Sequence, residues 1–497
     1  MNRSTCLLLI TIVGSLGLSG CSTRPVINDP ELMQCWQQLE SLQNSINQHD
    51  VQDAQYQPVA GFPTYRSNRF WSSFEPRALS KEQQYIWRRQ LHDLGMQSLA
   101  LEWRNLPSAT HTAIPDFNRF RQQCDERLFQ YSLQQPIDAD AIRIADSYND
   151  LNRFLGLYAL IKYAAAGSIA EYQQEMRERI DAFTELQPPT RRYRPPSTSA
   201  TKSAEFEQWL AQGYQQHPLA VPQLNAGQLE ALFLHHAPAL EISQQSNADI
   251  PGTAQWQRNK DQLIRHINTQ RTSIYTYPSY IRFQDSVLLQ LNYTLWFSQR
   301  PKPTPDDWYG GKLDGLVWRV TLQQDGSVLF YDSIHPCGCY HSVHIPVHSP
   351  LAAKVQAHDQ SDTLEPILFF PSTLSATDRP RLYLEADTHY LVHVTADNND
   401  TRSAEKISTY HLQSYDKLRA LAAGDDSRNW FDADGLIASS ARRERYFLWP
   451  LGVESAGAMR QRGNHAIAFA GKRHFDEADV AALLNLPPTP AKPPTHP

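Results

Sequence analysis

The stretch Leu316-Val317-Trp318-Arg319-Val320-Thr321-Leu322, followed by Gln324-Asp325-Gly326 and then Ser327-Val328-Leu329-Phe330-Tyr331, decides the fold class of this chain. Two apolar, β-branched and aromatic runs flank an Asp-Gly pair. Asp and Gly tolerate the positive φ of tight hairpin turns, so the pattern predicts two antiparallel strands. Upstream, Ser286 to Phe297 is rich in Leu, Val, Tyr, Trp and Phe, as a buried strand is. Downstream, Arg381 to Val394 and Ala466 to Phe469 read as strands, and Ser414 to Ala423 and Asp476 to Leu484 as helices. Residues 218–486 are therefore expected to form an α+β domain with a mainly antiparallel sheet and flanking helices.

The first half has a different texture. Leu32, Trp36, Leu39, Leu42 and Ile46 recur at three and four, the period of an amphipathic helix from Pro30 to about His49. The same logic predicts helices over 81–105, 116–133 and 138–166, and a further one from Ser168 to about Leu186. The run Leu151, Phe154, Leu155, Leu157, Tyr158, Leu160, Ile161 is expected to be buried. Residues 30–186 thus read as a helical domain. Residues 187–217, which open on Gln-Pro-Pro-Thr-Arg-Arg-Tyr-Arg-Pro-Pro, read as a Pro-rich linker, and 487–497 as a disordered tail. No repeat of 20–50 residues is visible.

Composition bounds the function. The 497 residues are 41% hydrophobic and 20% charged, enough to build real cores. A net charge of -6 argues against a nucleic-acid binder, which would show a basic face. Asn2 and Arg3 precede a short apolar run, Cys6 to Leu18, which closes on Leu18-Ser19-Gly20-Cys21. This pattern resembles the lipobox of bacterial lipoproteins. The resemblance implies that residues 1–20 are a cleaved signal peptide, that Cys21 becomes the acylated N-terminus, and that 21–29 are a tether. Ser22, where an inner-membrane protein tends to carry Asp, implies an outer-membrane anchor with the body facing the periplasm. Lipid on Cys21 would then be the membrane partner, with an envelope protein as a possible second one. The arrangement of the rest of the chain also looks like a family of proteobacterial lipoproteins, a likeness that brings no activity with it.

In such an oxidising compartment Cys35 and Cys124, both in the helical region, are expected to form a disulfide. The other two cysteines lie in His335-Pro336-Cys337-Gly338-Cys339-Tyr340-His341, with His344 and His348 just after. Four soft ligands in seven residues point to a Zn or Cu site built from His335, Cys337, Cys339, His341 and His344. An extended segment would spread them over about 20 Å, so convergence requires a turn, which Pro336 and Gly338 allow. Three other readings stay open: a structural disulfide, a redox-active one, and a Cys nucleophile with His341 or His344 as base and Asp332 as orienter.

Asp314 either belongs to that site or is a turn residue. His389 and His393 either complete a metal site or are half-buried sheet residues. The basic run through Arg442, Arg443, Arg445, Arg460, Arg462 and Arg473 is either an anion site or a solvated face. No His-Glu-x-x-His, Cys-x-x-Cys-His, P-loop, dinucleotide or Gly-x-Ser-x-Gly motif occurs. The sequence leads to an envelope lipoprotein with a Cys/His centre. The alternatives are a non-catalytic scaffold or partner-binding protein, and a Cys–His envelope hydrolase.

Overall fold

The computed structural model describes residues 27–487 except 113–115, 143, 145, 197–202, 261, 362, 376 and 398–405. The leader, Cys21, most of the tether and all but the first residue of the tail lie outside the described residues.

The first helices follow the apolar periodicity closely. They are α1 (Pro30–Gln48), α2 (Lys81–Asn105) and α3 (Phe117–Leu133), followed by α4 (Asp150–Leu155) and α5 (Tyr158–Asp181). Asp29 caps α1 and a Ser80/Gln83 capping box opens α2, satisfying backbone donors that a helix start leaves unpaired. Cys35 of α1 and Cys124 of α3 are joined by a disulfide, with Leu39, Leu42, Met96, Leu99 and Leu128 packed around it. A small hairpin, Gln57–Val59 with Phe62–Ser67, lies against α2.

Two sheets carry most of the rest, giving the expected α+β class. In chain order their strands are β1 (Thr190–Arg194), β2 (Ala239–Ser243), β3 (Ser273–Phe283), β4 (Ser286–Arg300), β5 (Gly311–Leu322), β6 (Val328–Ile334), β7 (Ser342–Pro346), β8 (Leu368–Ser372), β9 (Pro380–Leu384), β10 (Leu391–Ala396), β11 (Lys406–Thr409) and β12 (His411–Ser414). The larger sheet runs β8-β7-β6-β5-β4-β3-β12, with β3 to β7 an antiparallel meander. The smaller runs β10-β9-β2-β1-β11. They pack face to face through Tyr193, Leu240 and Ile242 on one and Leu291, Tyr293, Trp318 and Val320 on the other. Each such side chain contributes about 1.5–3 kcal/mol by leaving water. The opposite face of the larger sheet buries Val317, Phe330 and Val343 under Leu351, Val480 and Leu483.

The structure departs from the sequence reading in several places. The segment 187–217 is not a bare linker: β1 sits inside the smaller sheet, between β2 and β11, and Ser203–Gln215 is helical. Its prolines, Pro188, Pro189, Pro195 and Pro196, flank β1, so no ladder donor is lost. Residues 414–423 form a 3₁₀ segment, Tyr415–Ala420, between short strands, and in 476–484 only Val480–Leu483 is helical. Ala466 makes a single bridge to His474 instead of a strand. Finally, 138–166 breaks into a 3₁₀ turn, α4 and the start of α5, and its apolar run is exposed: Phe154 is 78% and Leu160 70% accessible. The helical half is also not separate, because Asp53 is buried against Arg419 and Arg69 pairs with Asp476.

Candidate functional site

The segment 335–341 is a tight turn joining β6 to β7. The His335 N–H donates to the Cys339 carbonyl at 3.0 Å and the Gly338 N–H to the His335 carbonyl at 2.8 Å. Gly338 has φ +92°, and a Cβ there would meet the Ala466 carbonyl oxygen at 2.2 Å, so only glycine fits. Tyr340 is left-handed as well, at φ 64°. The turn abolishes the shared face that an extended chain would have given, and the side chains leave in different directions.

His335 turns toward β5, where its Nδ1 lies 3.1 Å from Oδ1 of Asp314. The other oxygen of Asp314 is 2.8 Å from Nδ1 of His389, and Nε2 of His389 is 3.5 Å from Oδ1 of Asp249. Asp249 is in turn held by the backbone N–H groups of Gln245, Ser246 and Asp387. All four side chains are buried, and Phe297 stacks on His389 at 3.8 Å. Burial alone would discharge these groups. For His389 the facing carboxylates of Asp249 and Asp314 outweigh it and raise the imidazole above its usual range. Asp314, which burial would raise, is held well below the carboxylate range by His335 and His389. Burial lowers His335, against the opposite pull of Asp314. Arg300 stands beside this row, its guanidinium 3.2 Å from the hydroxyls of both Tyr340 and Tyr390.

His341 leaves on the opposite face of the sheet, where its Nε2 is 3.3 Å from Oδ2 of Asp332. Asp332 is already paired in two-pronged fashion with Arg319, which lies 3.6 Å over the ring of Phe475. His344 packs against Trp318 and Phe370 and reaches only Ser342, and burial lowers it to about 4. Cys337 is buried among Leu313, Trp296, Trp430 and Met459. Its Sγ accepts from the Cys339 N–H at 3.4 Å, and both cysteines are free thiols. The hydrogen bond to Cys337, then burial, push the Cys339 thiol well above its usual range. A thiol so shifted holds little thiolate, the form that attacks or binds metal.

The five expected ligands His335, Cys337, Cys339, His341 and His344 are therefore not one donor set. A tetrahedral Zn site needs its ligands within about 2.0–2.3 Å of one point, whereas two of these imidazoles are committed to different carboxylates on different faces. Among the described residues no group of three His, Cys, Asp or Glu is arranged to hold a metal ion. The structure does unite Asp314 and His389 with His335, while His393 stacks on Phe183 instead. Asp249, Arg300 and Tyr390 were missed by sequence reasoning, being far from the motif along the chain. The basic run is largely spent on backbone carbonyls: Arg442 on Lys312 and Leu313, Arg460 on Glu454 and Ser455. Glu444, nearby, is pushed up to about 7 by burial.

A second feature lies on the surface. Leu151, Phe154, Leu155, Leu157, Leu160, Ile161 and Tyr163 of the α4–α5 corner are all exposed. The corner is fixed from below. Gly156 abuts Pro450 so closely that a Cβ would lie 2.4 Å from the Pro450 Cβ. Arg153 donates to the Leu451 carbonyl at 2.9 Å and stacks on Tyr148 and Tyr158. The neighbouring segment adds exposed Tyr446, Phe447 and Trp449, and Phe447 meets Trp308 edge-on. Scattered exposed apolar side chains are ordinary, whereas these lie together on neighbouring elements.

The fold and these two features define an α+β protein with a buried Asp–His row and, among the described residues, an exposed apolar ridge. Comparison with protein-family models, with curated proteins and with solved structures returned no match.

Proposed function

We propose that this is a lipid-anchored protein of the cell envelope that works by binding through its surface rather than by turning over a substrate. In this reading Cys21 carries the lipid, the outer membrane holds the anchor and the body faces the periplasm. The observation that carries it is the exposed apolar ridge on α4 and α5. Apolar area of that size is costly to leave in water and gains free energy when covered. The Asp249–His389–Asp314–His335 row and the 335–341 turn then serve as an internal knot, tying β5, β6 and β7 to the 387–390 loop. A Cys–His hydrolase is disfavoured because His341 is turned to Asp332 and His344 to Ser342, and a Zn or Cu centre by the divergence of the imidazoles.

The test is a photo-crosslinking amino acid at Phe154 in the full chain in living cells, against the same group at exposed Asp325. The reading expects a discrete adduct from position 154 and none from 325. Equal, featureless labelling at the two positions would sink it.

A further inference from the structure

We infer that the ridge docks into the interfacial layer of a phospholipid bilayer; this rests on the surface-binding reading above and names its partner. The composition of the corner is the first reason. From Leu151 to Ala170 the chain holds no Asp or Glu, and its charged residues are Arg153 and Lys162. Arg153 is folded under Tyr148 and Tyr158, which leaves Lys162. The first half of α5 is apolar on nearly every side, and the helix buries one residue, Met176, far down its length. A helix that is apolar all round belongs in apolar surroundings. A protein groove would cover one stripe of it, whereas a lipid layer surrounds it.

Length fixes the mode. Tyr158 to Ala170 is thirteen residues, or about 20 Å of helix, short of the roughly 30 Å hydrocarbon core. No helix among the described residues is long and apolar enough to cross a membrane. The corner therefore lies in the boundary layer, with Phe154, Leu155 and Leu157 deepest. Leu157 adopts φ 54°, a conformation costly for leucine, and in it the side chain stays 64% exposed. Aromatic groups with a polar tip rim the ridge, Tyr163, Tyr446 and Trp449, the residue types that favour the headgroup level. Around them stand the cations Lys162 and Arg445, with Arg443 3.8 Å from exposed Asp306, and such cations complement anionic headgroups. Acidic residues bound the run on both sides, exposed Asp150, paired with Lys472, before it and Glu171 after it, and mark the edges of the footprint.

The experiment uses the full-length protein as the cell makes it, purified and mixed with vesicles of phosphatidylethanolamine and phosphatidylglycerol. An environment-sensitive dye is placed on Leu160→Cys, and in a second preparation on Asp325→Cys. Docking predicts that the dye at 160 shifts to the blue and is quenched by lipids brominated near the ester group, while that at 325 does neither. Adding Phe154→Ser should lower the ratio of docked to undocked ridge about tenfold, the loss expected from one large buried side chain. A dye at 160 that stays as wet as the one at 325 overturns the bilayer assignment. If position 154 nonetheless crosslinks to one protein in cells, the binding reading stands and only the lipid partner falls. If neither signal appears, both fall.

Discussion

Replacing Arg419 by Met should cost this protein a large part of its stability, and the reason lies in what is left behind. Asp53 comes from the loop after α1, and Arg419 from the 3₁₀ segment that follows β12. Both are buried, with Nε of Arg419 3.2 Å from Oδ1 of Asp53 and Nη2 2.5 Å from Oδ2. Gln461 donates to the same carboxylate at 2.7 Å. The guanidinium holds Asp53 below the carboxylate range although burial pushes the other way. Without Arg419 the carboxylate is left buried with the amides of Gln461 and Asn429 but without its close counter-ion, a situation that costs about 3–5 kcal/mol. That is a sizeable share of the roughly 5–15 kcal/mol that holds a domain folded. The double variant Asp53→Asn, Arg419→Met removes the stranded charge and should recover most of the loss, to within about 1–2 kcal/mol of wild type. Urea unfolding followed by tryptophan fluorescence reads both as midpoint shifts at unchanged slope. A single variant that loses less than about 1 kcal/mol, or a double as damaged as the single, would refute the reasoning.

Other consequences are directly measurable. Cys35→Ala with Cys124→Ala opens a loop closed over a sequence separation of 89, so unfolding should become easier by about 4–5 kcal/mol in the chain-entropy account, read by denaturant titration. Glu444 sits near 7 when folded against 4.5 when free, so the folded state retains a proton that the unfolded state has lost. Stability should therefore fall by about 3 kcal/mol as pH rises from about 4.5 to 7, and Glu444→Gln should flatten that fall in pH-dependent melts. Metal analysis of the purified protein should find no stoichiometric Zn or Cu. Cys337 should resist alkylation until the protein is unfolded, and prompt labelling of the native form would contradict its burial.

The long apolar elements were legible because their surroundings are simple. Strands β4, β5 and β6 lie in the sheet centre, so unbroken runs of Leu, Val, Trp and Phe are what that place requires, and the Asp325-Gly326 turn joins β5 to β6. Helices α1, α2 and α3 each show one buried stripe and a capping residue. β1 was illegible because four prolines surround it, yet they stand at its ends. The α4–α5 corner was misread for a deeper reason. An apolar period states that a helix avoids water, not what covers it. The turn at 335–341 could be foreseen from Pro336 and Gly338, but its outcome could not. Whether His335 meets Cys339 or Asp314 depends on where β5 and the 387–390 loop arrive, and neither position is encoded near the motif.

The most direct test of the account is the accessibility of Leu160→Cys to a membrane-impermeant maleimide. It is compared between the purified protein and cells with a permeabilised outer surface, with exposed Asp325→Cys as reference. A ridge that is covered in its working state predicts rapid labelling of position 160 in the purified protein and protection in the cell, with position 325 labelled equally in both. Equal labelling of both positions in both settings would mean that the ridge stays bare, and would contradict the claim that this protein acts through it.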